Sequence, residues 1–146
     1  MKKLLILITF IPILSFAKND GCASVGAAME SVLFNKLAEN LNIDTSTVDE
    51  MKAKVDVLDI TPISRMYAEK LARMDFDKDP DKDKTEDKYK NIYLSSYYDN
   101  EVKSITAKYT YTDKYGKKDV FIASSLMNKD ECSVRFNGYI TLSREF

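Results

Sequence analysis

From Ala23 to Leu41 the apolar residues Val25, Ala28, Met29, Val32, Leu33, Leu37 and Leu41 recur at spacings of three and four, which predicts one amphipathic helix. Asn40 and Asn42 suit its stop. The capping box Thr47-x-x-Glu50 then opens a second helix carrying Val48, Met51, Val55 and Leu58 on one face. Val55, Val57 and Ile60 leave open the alternative of a short strand starting there. Thr61-Pro62 sets an N-cap hydroxyl before a proline at the first helical position, and Ile63, Met66, Tyr67, Leu71 and Met74 continue the helical stripe as core.

After Lys88 the period changes from near 3.6 to 2, and tyrosine becomes frequent, as expected on a pleated surface. The pattern predicts four strands, Tyr89 to Tyr98, Val102 to Thr112, Lys118 to Met127 and Cys132 to Ser143, joined by connections short enough to make neighbours antiparallel. Ile105, Ala107, Tyr109 and Tyr111 share one face of the second strand; Val134, Phe136, Ile140 and Leu142 share one face of the fourth. The fold class expected is therefore α+β, two to three N-terminal helices packed on one face of a four-stranded antiparallel β-meander, with the other face partly wet.

Between helices and strands lies DFDKDPDKDKTEDK, Asp75 to Lys88. Asp75, Asp77, Asp79, Asp81, Asp83 and Glu86 fall at positions 1, 3, 5, 7, 9 and 12 of a calcium-loop register. Pro80 occupies the place of the turn glycine, Lys82 that of the hydrophobic anchor, and Lys78, Lys82 and Lys84 interleave the carboxylates. The composition favours a solvated linker, with Ca2+ as the lesser reading.

The leader MKKLLILITFIPILSFA has two lysines, an apolar run broken by Pro12, and Ser15 and Ala17 at a cleavage site, so residues 1–17 read as a secretory signal and 18–146 as one domain. The polar run Lys18-Asn19-Asp20-Gly21 before Cys22 disfavours a lipobox. The expected location is the periplasm or the medium, with no stable membrane insertion after cleavage. Residues 18–146 carry 20 basic and 23 acidic side chains, a balance of −3, which argues against a nucleic-acid partner. Cys22 and Cys132 are the two cysteines of an exported chain, and a disulfide between them is expected.

With no histidine in the chain and both cysteines bonded, the usual general base and thiol nucleophile are missing, and no phosphate-cradling glycine loop is present. The chain is read as a non-enzyme, with no catalytic residues and no cofactor. Of Tyr89, Tyr93, Tyr97, Tyr98, Tyr109, Tyr111 and Tyr115, about half are expected to pack inside. The remainder, flanked by Asp99, Asn100 and Glu101, would form a protein-binding surface anchored by Tyr97, Tyr98, Asp99 and Glu101.

Three segments carry a resemblance: GCASVGAAMESVL with Cys22, the strand pair YTDKYGKKDVFIASS, and DECSVRFNGYITLS with Cys132. In these the chain resembles the colicin M immunity protein and its YebF-like secreted relatives. The likeness lies at the two ends; the helix from Thr61 and the acidic stretch stand outside it. The resemblance implies a small, disulfide-bonded periplasmic protein with helices on a four-stranded antiparallel sheet. It also implies an activity, binding and neutralising a secreted bacterial toxin. The alternative is a small-ligand or calcium-binding module of cystatin-like or NTF2-like type, which a concave apolar cavity would favour.

Overall fold

The computed structural model describes residues 21–81 and 85–146. The signal reading of residues 1–17 lies outside the described residues, as does Asp83 of the calcium register. Three helices and four strands follow in the order α1 (Ala28–Leu41), β1 (Lys54–Pro62), α2 (Arg65–Lys78), α3 (residues 86–98), β2 (Lys103–Thr112), β3 (Lys118–Met127) and β4 (Arg135–Ser143). The strands form one antiparallel sheet in the order β1-β2-β3-β4. The fold is α+β, helices against a four-stranded antiparallel sheet closed by one disulfide. No helix among the described residues is long and apolar enough to cross a membrane.

α1 starts later than its stripe, after a turn through Gly26 (φ +77°), and ends on Asn42 in the left-handed region, where asparagine is tolerated. Met29, Leu33 and Leu37 cover Ile105, Ala107, Tyr109 and Tyr111 of β2 and Phe121 and Ala123 of β3. The face read for β2 is thus the core face.

Two expected elements exchange type. Residues 47–60 are not a helix: Asp44 accepts a hydrogen bond from the Ser46 amide (3.1 Å), and short 3-10 turns at Thr45–Thr47 and Glu50–Lys52 lead into β1. The β-branched alternation of Val55 and Val57 wins there because β2 offers a partner edge from Thr110 to Lys103, with a bulge at Leu58. Asp56 faces Lys108 across the pair at 3.1 Å. Conversely, Tyr89 to Tyr98 is not a strand but part of α3. Thr85 caps it by accepting from the Lys88 amide (3.2 Å), Glu86 and Asp87 occupy its first turn, and its middle, Tyr89–Leu94, widens to π geometry.

α2 begins at Arg65, capped by Ser64 accepting from the Tyr67 amide (3.2 Å), not at Thr61-Pro62, which closes β1. It runs through Lys78 and stops because Pro80 forces Asp79 out of helical ψ (124°). In β4, register shifts opposite Val120/Phe121 and Ser124/Ser125 reset the inward phase. Phe136 and Tyr139 therefore pack on the core while Ile140 and Leu142, expected inside, are more than half exposed.

Cys22 and Cys132 are bonded, with Cα atoms 5.0 Å apart, and no free cysteine remains. A second core cluster joins α2 and α3 to the end of the sheet: Ala68, Leu71, Ala72, Phe76, Tyr89 and Tyr97 with Val102 and Leu126. The Phe76 ring meets Tyr89 and Tyr93 edge-on at 5.7 and 5.4 Å.

Candidate functional site: the junction of α3 and β2

The helix α3 ends at Tyr98, and the turn Asp99-Asn100-Glu101 carries the chain into β2. Tyr97 and Tyr98 are neighbours on a helix, so they diverge. Tyr97 is 6% exposed and points into the second core cluster; Tyr98 is 44% exposed and points out. Tyr97, expected as a binding-surface anchor, is thus mostly a core residue, with only a margin lining the groove beside Tyr98. Its hydroxyl donates to Asp75, and Arg135 of β4 joins both, with Nη1 3.0 Å from Asp75 Oδ1 and 3.3 Å from the Tyr97 oxygen. The Asp75 carboxylate and burial together hold the Tyr97 phenol above its ordinary pKa, burial being the larger cause.

Around Tyr98 a groove of about 490 Å3 opens between the end of β1 and the start of β2, lined by Pro62, Ile63, Tyr97, Tyr98, Asp99, Glu101, Val102 and Lys103. Ile63 is fixed at its floor by its amide donating to the Val102 carbonyl (3.2 Å). Asp99 and Glu101 are exposed on the rim, and among the described residues no cation lies within ion-pair distance of either. Lys103 lines the groove with these carboxylates, and Arg65 lies over the Tyr98 ring at 5.3 Å, bonded to Glu69 at 2.9 Å and felt electrostatically by Asp99. Glu101 has φ +53°, a left-handed conformation that a glutamate adopts at a cost.

The acidic stretch is not gathered round one point. Asp75 and Asp77 sit in the last turns of α2. Asp79 accepts from the Tyr93 hydroxyl and meets Lys88 Nζ at 2.9 Å; Asp81 meets the same Nζ at 2.8 Å. Glu86 lies 3.9 Å from Arg73 and from Lys90. The Tyr93 hydrogen bond, then the Asp81 amide and Lys88, hold the Asp79 carboxyl well below the usual carboxylate range. Among the described residues no group of three or more acidic or cysteine side chains could hold a metal ion. Over its described residues the stretch clips α2 to α3 through Asp79, Asp81 and Lys88.

A wider cleft, about 620 Å3, lies elsewhere, between residues 46–52 and Thr112-Asp113-Lys114. Its walls are surface turns bearing Asp49, Glu50, Lys52, Asp113 and Lys114, and no aromatic side chain lines it. The anchors Tyr98, Asp99 and Glu101 were legible from the sequence and do converge. Pro62, Ile63 and Lys103 were not, since they join the groove only through the β1–β2 pairing. Arg135 had no sequence signal beyond being a lone charge near a strand.

Comparison with family models, with curated proteins and with solved structures gives no match. The fold and the groove therefore carry the functional argument by themselves.

Proposed function

We propose that the chain is a periplasmic or secreted binding protein, an immunity protein or inhibitor that occludes and so neutralises an antibacterial toxin. The observation that carries this reading is the Tyr98 groove: an exposed aromatic ring beside two exposed rim carboxylates that, among the described residues, form no close ion pair, one of them on a left-handed turn residue. Such a rim suits a basic side chain of a protein partner, with Tyr98 and Ile63 taking its apolar stem. The Cys22–Cys132 bond supports an oxidising compartment outside the cytoplasm. The reading requires no chemistry of the chain. The Tyr98 groove is an open surface feature with charged side chains at its rim, which suits a protein partner better than the enclosed pocket of a small-ligand module.

The test is growth rescue. Exported together with a candidate toxin from its genetic neighbourhood, the wild-type chain should restore growth, and Tyr98→Ala with Glu101→Lys should abolish rescue while the protein still accumulates. Failure to rescue, together with failure to bind any adjacent secreted effector, would overturn the proposal.

A further inference from the structure

The first turn of α1 buries a carboxyl group that neither the core nor the Tyr98 groove explains. Glu30 is 0% exposed. Its Oε2 accepts from the Gly26 amide at 3.1 Å and its Oε1 from the Tyr111 hydroxyl at 2.7 Å. Among the described residues no lysine or arginine lies within ion-pair distance of it. The other titratable group facing it is a second acid, Glu50, half-buried and within hydrogen-bond reach. Two carboxyl groups can share a hydrogen bond only while one of them holds a proton; with both ionised they repel in a medium that screens poorly.

Glu50 belongs to the segment 45–52, two 3-10 turns that form one wall of the 620 Å3 cleft. Apart from Glu50, this segment is tied down by the Lys114 amide donating to the Thr47 carbonyl (2.8 Å) and by the Val48–Asp113 bridge. On the cleft side, Lys52 is taken by Asp49 at 2.8 Å, and Asp113 is occupied by the Tyr115 and Lys117 amides at 2.9 and 2.8 Å. Neither relieves the pair.

We propose that Glu30 and Glu50 form a proton-operated latch, which holds the 45–52 segment against α1 while Glu30 is protonated and loosens it as Glu30 ionises. Burial, the largest influence, together with the facing Glu50 raises the Glu30 carboxyl from 4.5 to about 7, against the opposing hydrogen bond from Tyr111. Burial and the same carboxylate push the Tyr111 phenol far upward, so Tyr111 remains a donor throughout. A raised acid binds more protons folded than unfolded. Its stabilising state is complete below about pH 4.5 and is lost as pH rises through about 7. The inference is independent of the toxin reading.

The experiment measures denaturant stability from pH 4.5 to 8.5, with amide hydrogen exchange of residues 45–53, on wild type, Glu30→Gln and Glu50→Gln. Glutamine at 30 mimics the protonated acid. Wild-type stability should fall across this range and exchange in 45–53, corrected for intrinsic rate, should quicken by about 10-fold or more. Glu30→Gln should be flat in both, and more stable than wild type above pH 7. Should Glu30→Gln not fold, Glu50→Gln decides: the donor amide beside Glu30 should move the fall to lower pH. Equal pH profiles for wild type and the folded variant, or protection of 45–53 that ignores pH, would overturn the latch.

Discussion

Glu101 concentrates the tension between stability and binding in one residue. Its φ of +53° suits glycine, and its side chain stands exposed on the groove rim. Glu101→Gly should therefore raise stability by roughly 0.5–1 kcal/mol, the left-handed cost of a side chain less the greater chain entropy of glycine, read in urea denaturation. The same variant should bind a partner less well. Tyr98, Asp99 and Glu101 were visible in the sequence because polar and aromatic residues cluster at a turn. Tyr97 contributes less surface than Tyr98 because consecutive residues, on a helix or a strand, point in different directions, and here the Tyr97 side is the one that α2 and the sheet end cover.

At the scale of elements, α3 is the piece whose type was hidden. Tyr89, Tyr93 and Tyr97 are four apart, a spacing that is a multiple of the strand period and close to one helical turn, so the aromatic stripe fits both. Thr85 followed by Glu86 and Asp87 was the sequence signal that separates them, a cap with acids in the first turn. β1 was left open for a related reason, its short apolar run satisfying either template. What holds α3 is polar as much as apolar. Arg135→Met removes a cation shared by Asp75 and Tyr97 and should cost roughly 1.5–3 kcal/mol, measured by denaturation, with faster exchange in α2 and α3. The Asp79 clip gives a pH signature of opposite sign to that of Glu30. Its carboxyl is held below the ordinary 3.8, so its contribution is present above that value and fades as pH falls further. Tyr93→Phe removes the largest influence and should bring the onset of acid unfolding to higher pH.

For the whole molecule, the α+β class, the antiparallel meander from β2 to β4 and the bond between the chain's far ends were legible. The partner of β2's free edge was not, because pairing between residues some 50 apart leaves no local trace. Cys22 and Cys132, 110 positions apart, join the turn before α1 to the segment before β4. Replacing both with serine should lower stability by about 4 to 5 kcal/mol in the loop-entropy description, seen as a matching fall in the denaturation midpoint. The protein, so closed, presents the Tyr98 groove from elements fixed by two core clusters, which suits recognition without rearrangement. The most direct measurement is a calorimetric titration of the oxidised protein with each secreted effector found to be encoded in its genetic neighbourhood, comparing wild type with Glu101→Lys. The groove predicts saturable binding by wild type, weakened about 30-fold or more by the charge reversal. Absence of binding, or equal affinity for both proteins, would contradict it.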